Sequence, residues 1–224
     1  MNLWMYSSGG SENSDVDQKL TEHLPQKRAK LTFVSSCHED ASEYYDEFIE
    51  RFCGFGNFDF YMVHVDKALT RKDMSKLGNS DLIYLSGGNT FYFLKTLKNN
   101  PLKEHLRQHI KQNRILAGHS AGSILMTPTI STAGYPEHDC DDNFVGITNL
   151  RALKLVNFEV LPHYRDLRRY DDAIFENIEG AKFPVYAMKD GASINVGKTS
   201  LSFYGDIWLF HNGSKIKISS RYRR

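Results

Sequence analysis

The chain has 224 residues, 41% of them apolar and 12% aromatic, so it can bury a substantial core within one domain. Its 28 Lys and Arg residues nearly balance 27 Asp and Glu residues, and the net charge of +1 argues against a general nucleic-acid binder or an acidic disordered chain. The mean hydropathy is −0.47, and no apolar run approaches the roughly 20 residues of a transmembrane helix. We therefore expect one domain over residues 1–224, with neither a membrane nor a nucleic acid as partner; monomer and homodimer both remain open.

The three cysteines, Cys37, Cys53 and Cys140, are odd in number and widely spaced. This usage suits a reducing compartment better than a disulfide framework, and residues 1–8 carry no basic region followed by an apolar stretch. A cytoplasmic location is the resulting expectation.

The first half of the chain alternates short apolar runs with longer stretches of helical periodicity. Strands are predicted at residues 3–6, 30–34, 58–65, 82–85 and 115–117. Helices are predicted at residues 14–24, 39–52, 73–77, 90–98 and 102–112. The alternation predicts an α/β fold of three layers, in which a mostly parallel central sheet carries helices on both faces.

The second half is richer in short strands. They are predicted at residues 159–161, 185–188, 193–196, 201–204 and 207–210. Asn212-Gly213 is a favourable hairpin turn, and a helix is predicted over residues 165–178. We expect these strands to add antiparallel neighbours to the edge of the sheet.

The pentapeptide Gly118-His119-Ser120-Ala121-Gly122 follows a predicted strand and precedes the apolar residues of a predicted short helix, 124–126. A G-x-S-x-G turn between strand and helix is typical of a nucleophile elbow, which exposes the serine hydroxyl. The helix N-terminus then offers N–H groups to a developing oxyanion. The alternative is a glycine-rich turn with a capping serine.

A second loop, Ser86-Gly87-Gly88-Asn89-Thr90, also follows a strand. Ligands bind at this end of the strands in open α/β sheets. We predict that the N–H groups of Gly88 and Ala121 form an oxyanion hole. The alternative is a simple turn in which Asn89 or Thr90 caps the next helix.

A serine nucleophile needs a base and an acid that orients it. Among nine histidines, His163 stands out because it directly follows a predicted strand, and Asp190 follows another. On position alone, the histidine could equally be structural and the aspartate a turn residue. Asp139, Asp141 and Asp142 form a competing acidic cluster. The run His138-Asp139-Cys140-Asp141-Asp142 is similar in composition to a metal site, but adjacent residues cannot all converge on one ion. We expect neither a metal nor a cofactor.

Together these pieces resemble the peptidase E family, which includes aspartyl dipeptidases and cyanophycinases. The matching features are Gly9-Gly10, L-S-G-G-N-T at 85–90, G-H-S-A-G at 118–122, L-P-H-Y at 161–164 and K-D-G at 189–191. The resemblance covers most of the chain and keeps the order of the motifs. It implies a fold similar to class I glutamine amidotransferases, with serine in place of the elbow cysteine.

The resemblance also implies a hydrolase, a serine protease of dipeptidase type, with Ser120 as nucleophile, His163 as general base and an acidic third member. Asp190 matches the family's position after the late strand, and the cluster of Asp139, Asp141 and Asp142 remains the alternative.

Members of the family cleave small peptides after aspartate, or β-aspartyl linkages in a storage polymer. A small peptide is therefore the expected substrate. A guanidinium could pair with its carboxylate, which makes Arg165 and Arg169 candidates ahead of Arg168, and Asn89 is a further candidate for substrate binding. The competing interpretation of these arginines is a solvated helix face paired with nearby aspartates.

Three alternatives to a short-peptide serine peptidase stay open. One is a cyanophycinase-like or other amidohydrolase with the same triad. Another is a non-catalytic binding protein on the same fold, which Ser120 and His163 argue against. The last is a glutaminase, which the serine at the elbow argues against.

Overall fold

A computed structural model describes residues 1–37, 39, 41–179 and 182–218. The strands, in chain order, are β1 (Asn2–Tyr6), β2 (Ala29–Ser35), β3 (Phe58–His64), β4 (Leu82–Leu85), β5 (Ile115–His119), β6 (Glu159–Leu161), β7 (Val185–Met188), β8 (Ser193–Val196), β9 (Leu201–Tyr204), β10 (Ile207–His211) and β11 (Ser214–Ile218). The α-helices are α1 (Ser14–Thr21), α2 (Ala41–Cys53), α3 (Arg71–Asn79), α4 (Thr90–Lys98), α5 (Leu102–Lys111), α6 (Ala121–Ile124) and α7 (Arg168–Ile178). Every predicted strand is present.

The strands form two sheets rather than one. The central sheet has seven strands in the order β3-β2-β4-β5-β1-β8-β9, and its first five strands are parallel. A second sheet has the order β11-β10-β7-β6. The expectation that the late strands extend the central sheet is therefore right for β8 and β9 only. The other late strands pair with each other, because the hairpin at Asn212-Gly213 joins β10 to β11 and β10 pairs with β7.

The central sheet is covered on both faces, as the alternation of side chains along a strand requires. In β1, Trp4 and Tyr6 pack with α1 and α2, whereas Leu3 and Met5 pack with α4 and α5 on the other face. The second sheet has a core of its own against α7, built around buried rings such as Tyr164, Trp208 and Phe210. The three-layer α/β architecture is confirmed for the central sheet.

Two helix boundaries differ from the prediction in ways that affect the site. Helix α6 begins at Ala121, directly after Ser120, and ends at Ile124, so it is shifted towards the elbow relative to 124–126. Helix α7 begins at Arg168 rather than at residue 165, because Leu167 before it has an extended backbone (φ −129°, ψ 145°). Arg165 therefore lies in the loop before the helix. For α2, the predicted start includes residue 40, which lies outside the described residues.

The longest described helix, α2, has 13 residues. None of the described helices is long and apolar enough to cross a membrane.

Candidate active site

Ser120 occupies a strained turn between β5 and α6. Its backbone has φ 50° and ψ −119°, a conformation that L-residues rarely adopt. The flanking glycines have no room for a side chain: a Cβ on Gly122 would lie 2.4 Å from the Leu85 carbonyl oxygen, and one on Gly118 would lie 3.0 Å from the backbone of Gly122. The close approach of α6 to β4 and β5 thus explains both glycines of the elbow sequence.

Three side chains from separate segments form a continuous hydrogen-bonded relay. His163 Nε2 lies 3.0 Å from Ser120 Oγ, and His163 Nδ1 lies 2.7 Å from Asp190 Oδ1. The side chains of His163 and Asp190 are 52% and 62% exposed. The relay therefore faces solvent, where a substrate can reach it.

Ser7, which sequence reasoning missed, joins the segments that carry this relay. It is fully buried at the end of β1, and its hydroxyl accepts a 2.8 Å hydrogen bond from the His163 N–H. The same hydroxyl can donate to the Met188 carbonyl at 3.0 Å or to Asp190 Oδ1 at 3.4 Å. His163 itself has φ 56°, so its loop adopts a conformation that needs such support. The only sequence signal for Ser7 was its place at the carboxyl end of a strand before Gly9-Gly10.

The predicted oxyanion-hole amides belong to residues that follow β4 and β5. Ala121 is the first residue of α6, and Gly88 has φ 112°, which favours glycine. A Cβ on Gly88 would lie 2.4 Å from Ser36 Oγ. Within the described part of the chain, no hydrogen-bond acceptor for the Gly88 N–H or the Ala121 N–H is present. Both amides are therefore available to a ligand.

The acidic cluster of residues 139–142 lies beside the serine but does not reach His163 Nδ1. Asp139 and Asp141 line a small cavity together with Ser120 and His163. Asp139 is paired with Arg169, and Asp141 Oδ2 accepts a 2.8 Å hydrogen bond from the Thr90 N–H at the start of α4.

Asp142 contributes its backbone carbonyl, which accepts a hydrogen bond from Asn89 Nδ2 at 2.9 Å. The carboxylate that the structure brings to the histidine ring is thus that of Asp190 and not one from this cluster.

The candidate substrate-binding residues differ in how they lie relative to the serine cavity. Asn89 caps α4, accepting a 2.9 Å hydrogen bond from the Tyr92 N–H. Arg169 approaches the serine cavity through its ion pair with Asp139. Arg165 is exposed in the loop before α7.

Arg168 points to solvent with a side chain 93% exposed, and it pairs with Asp172 at 3.3 Å. Arg169 thus pairs with a residue that lines the serine cavity, whereas Arg168 shows the solvated pairing of the competing interpretation.

A larger cavity of about 530 Å³ is lined by the loop that carries Gly88 and Asn89. Three aromatic residues, Tyr44, Tyr92 and Phe144, contribute to its wall. The rings of Tyr92 and Phe144 stack with centroids 6.0 Å apart. Two cavities therefore meet at the 86–90 loop, one containing Ser120 and one walled by aromatic rings. Over the described residues, no group of three or more His, Cys, Asp or Glu side chains could hold a metal ion.

Residues 3–203 match Peptidase family S51. The chain belongs to this family. The resemblance to peptidase E that the motifs predicted is thereby confirmed, because the match spans the elbow, the glycine loop and the segments around His163 and Asp190.

Individual relatives agree with this assignment. An uncharacterized peptidase of Listeria monocytogenes is 37% identical over 92 residues, which is 41% of this chain and 44% of that protein, so the matched segment spans less than half of the relative's length. Peptidase E of Nostoc sp. is 22% identical over 212 residues, covering 88% of this chain and 82% of that protein. The crystal structure of a peptidase from an acI-B1 Actinobacterium has a TM-score of 0.70 at 16% identity, covering 97% of this chain and 96% of that one, and shows the same fold.

Proposed function

We propose that this member of family S51 is a serine peptidase that hydrolyses short peptides after an aspartate residue through an acyl-enzyme on Ser120. The observation that carries the proposal is the relay of Ser120 Oγ, the His163 ring and the Asp190 carboxylate, with distances of 3.0 and 2.7 Å. Nucleophile, base and orienting acid within hydrogen-bond reach are the arrangement that acyl transfer requires.

In the acylation step, Ser120 Oγ attacks the scissile carbonyl carbon while His163 Nε2 takes the hydroxyl proton. The Asp190 carboxylate accepts a hydrogen bond from Nδ1, which fixes the tautomer and stabilises the imidazolium. The C–N bond then breaks, and His163 gives its proton to the departing amine. In deacylation, water repeats the attack with His163 as base, and the ester bond to Ser120 is cleaved.

The negative charge on the tetrahedral intermediate needs donors that are already in place. The N–H groups of Gly88 and Ala121 are the ones we assign, since each follows a strand end at the sheet edge and neither has an acceptor among the described residues. Helix α6 is only one turn long. The Ala121 N–H therefore stabilises the oxyanion by donating a hydrogen bond, and not through a helix dipole.

The preference for aspartate rests on the family and on one arginine. A Drosophila melanogaster relative, 27% identical over 153 residues, carries the name "Probable alpha-aspartyl dipeptidase". Arg169 pairs with Asp139, which lines the serine cavity, and a substrate carboxylate could take the place of Asp139 and accept two hydrogen bonds from the guanidinium. The two cavities that meet at the 86–90 loop offer room for only a few residues around the scissile bond.

The nucleophile is tested by a fluorophosphonate probe together with hydrolysis of Asp-Xaa dipeptides. Wild-type protein should be labelled and Ser120→Ala should not, with hydrolysis reduced by at least about 10⁴-fold. Ser75→Ala removes an exposed hydroxyl on α3 and should keep both labelling and activity. Near-normal hydrolysis by Ser120→Ala would refute the serine mechanism.

Specificity is tested by kcat/KM on Asp-Xaa against Asn-Xaa dipeptides for Arg169→Ala and Arg165→Ala. Arg168→Ala is the matched control, because its solvent-exposed pair with Asp172 should contribute little. Loss of discrimination in Arg169→Ala or Arg165→Ala supports recognition of aspartate by this segment. If both variants keep the parent's discrimination, the acid is recognised elsewhere, and faster cleavage of β-aspartyl dipeptides would favour the cyanophycinase-like alternative.

A further inference from the structure

His119 immediately precedes Ser120, yet its ring takes no part in the relay. The ring lies between two glycine backbones at the sheet edge: a Cβ on Gly9 would lie 3.0 Å from His119 Nε2, and a Cβ on Gly87 would lie 2.8 Å from the same atom. These glycines come from the loops after β1 and β4. The ring therefore fills a slot that exists only because both residues are glycine.

Within this slot, the Gly87 N–H donates a hydrogen bond to His119 Nε2 at 3.0 Å. Because the Gly87 N–H is a donor, Nε2 must accept with its lone pair, so it carries no proton and the ring is neutral, with its hydrogen on Nδ1. Burial, together with the charges of Arg51 and His163, lowers the pKa of His119 to about 3. Nε2 of His119 therefore stays available as an acceptor at neutral pH.

Arg51 stabilises the surroundings of the His119 ring through hydrogen bonds to neighbouring residues. Its guanidinium pairs with Asp17 at 2.6 Å and donates to the Gly9 carbonyl at 2.9 Å and to the Tyr84 hydroxyl at 2.8 Å. The Tyr84 ring in turn lies 5.6 Å from the His119 ring, centroid to centroid. A fixed positive charge next to the slot disfavours a second one on His119.

The carbonyl end of Gly87 is held as well. Its oxygen accepts hydrogen bonds from Ser36 Oγ and Ser86 Oγ, both at 2.8 Å. In a trans peptide the next N–H, that of Gly88, points opposite to this carbonyl. Fixing Gly87 at its N–H and at its C=O therefore fixes the direction of the Gly88 N–H.

We propose that His119 is a positioning residue for the oxyanion hole: as a neutral acceptor for the Gly87 N–H, it holds the peptide that joins Ser86 to Gly87. With the Gly87 carbonyl held by Ser36 and Ser86, this fixes the next peptide, whose Gly88 N–H faces the substrate oxyanion. This inference rests on the proposed function, because it presupposes that Gly88 stabilises a tetrahedral intermediate. It differs from a packing role, since packing needs the ring and positioning needs the acceptor nitrogen.

Two substitutions separate these roles. His119→Gln can place its Oε1 near the position of Nε2 and accept the Gly87 N–H, whereas His119→Phe fills the slot with a ring that has no acceptor. Loss of one oxyanion donor costs about 10²–10³-fold in kcat. We expect His119→Phe to lower kcat by about 10²-fold with KM within about threefold, and His119→Gln to keep kcat within about tenfold of wild type.

A second readout is the affinity for an aspartyl aldehyde, whose hemiacetal with Ser120 places an oxygen in the oxyanion position. It should weaken in His119→Phe by about the factor lost in kcat/KM, while the affinity for free aspartate as product stays unchanged. Circular dichroism and thermal unfolding establish that each variant is folded. If His119→Phe is too unstable, Gly87→Ala, whose Cβ would meet Nε2 at 2.8 Å, is expected to give the same loss in kcat.

Wild-type kcat and aldehyde affinity in folded His119→Phe would overturn the proposal, as would equal losses in His119→Phe and His119→Gln. Labelling by a fluorophosphonate distinguishes a failure of the positioning role of His119 from a failure of the proposed serine mechanism. If Ser120 is labelled and Ser120→Ala is inactive, a normal His119→Phe refutes only the positioning role. If Ser120→Ala stays active, the serine mechanism itself is wrong.

Discussion

The two sheets supply different parts of the candidate site by different physical means. The central sheet provides Ser120 and the two amides that we assign to the oxyanion hole, and their geometry is fixed within a few residues by the turns that follow β4 and β5. The second sheet provides His163 and Asp190, which follow its paired strands β6 and β7. His163 reaches Ser120, and Asp190 reaches His163, where the ends of β6 and β7 meet the end of β1 through hydrogen bonds to Ser7.

The comparison teaches that the position of the proposed nucleophile is set locally in the chain, whereas the positions of the proposed base and acid depend on tertiary contacts. A strained elbow can be recognised in five residues, since sterics alone dictate its glycines. The contact between His163 and Ser120 joins residues 43 positions apart, and no local pattern specifies it. Substitutions in the two sheets should therefore differ both in the property they change and in the size of the change.

Apart from replacement of Ser120 itself, the largest expected effect is that of Asp190→Asn at the end of β7 in the second sheet. An asparagine keeps the size of the side chain but cannot hold the imidazole in the required tautomer, and such a change costs about 10⁴-fold in kcat. The side chain is 62% exposed, so thermal unfolding should be unchanged. Steady-state kinetics of the purified variant provide the measurement.

Asp206→Asn is the matched control, because that exposed aspartate pairs with Lys217 at 2.9 Å on the same sheet. It should keep wild-type kcat. If Asp190→Asn loses less than about tenfold, an acid other than Asp190 orients the base, and the same substitution at Asp139 and Asp141 becomes the next measurement.

In the central sheet, Gly88→Ala should lower kcat by about 10²–10³-fold, the loss typical for one oxyanion donor. The new Cβ would lie 2.4 Å from Ser36 Oγ, and φ of 112° is unfavourable for alanine, so the peptide must rotate. Gly146→Ala is the control that distinguishes backbone strain from a steric clash, because Gly146 also has a positive φ of 63° but has open space around it. It should lose stability only, and an equal fall in kcat for both variants would contradict the oxyanion assignment.

A buried titratable group in each of the two regions should also change the stability in opposite directions as the pH falls. In the central region, burial lowers the pKa of His109 from 6.5 to about 4, so its neutral form contributes to stability above pH 6.5 and that contribution is lost as the pH falls towards 4. At about 1.4 kcal/mol per unit, the full loss is about 3 kcal/mol. In the second sheet, burial raises the pKa of the Glu159 carboxyl. Protonation of this group at low pH therefore removes the free-energy cost of keeping its charge buried.

Urea unfolding of wild type and His109→Gln at pH 7 and pH 4.5 measures this difference. Glutamine can still donate to the Ile115 carbonyl, which lies 2.7 Å from His109 Nε2, but it does not titrate. The variant should therefore lose less stability than wild type between the two pH values. An identical fall in both proteins would place the acid-sensitive group elsewhere in the chain.

The same contrast explains what the sequence could predict. Hydrophobic periodicity predicted the central strands and the helices between them, and the elbow motif singled out Ser120 because steric rules act locally. The second sheet was not predicted, since short alternating strands do not specify their partners. Ser7 was missed because its importance comes from the two backbone groups that fold onto it, and no property of its neighbours in sequence reveals them.

Ser7→Ala tests the contact between the two sheets and has the smallest expected effect. It leaves the partly buried His163 N–H without its acceptor, which costs about 1 kcal/mol of unfolding free energy. The base loop should then populate other positions, so we expect kcat to fall by about tenfold with KM unchanged, a loss of about 1.4 kcal/mol in transition-state stabilisation.

Ser193→Ala is a matched control, because Ser193 is equally buried on the neighbouring strand β8 and its hydroxyl has no hydrogen-bond partner among the described residues. Removing an unpaired buried hydroxyl should leave kcat unchanged and stability unchanged or higher. Equal kcat in the two variants would mean that Ser7 does not position His163. The Asp190 carboxylate and the hydrogen bond from the Tyr164 N–H to the Met188 carbonyl at 3.0 Å would then hold the base in place, because neither contact depends on the Ser7 hydroxyl.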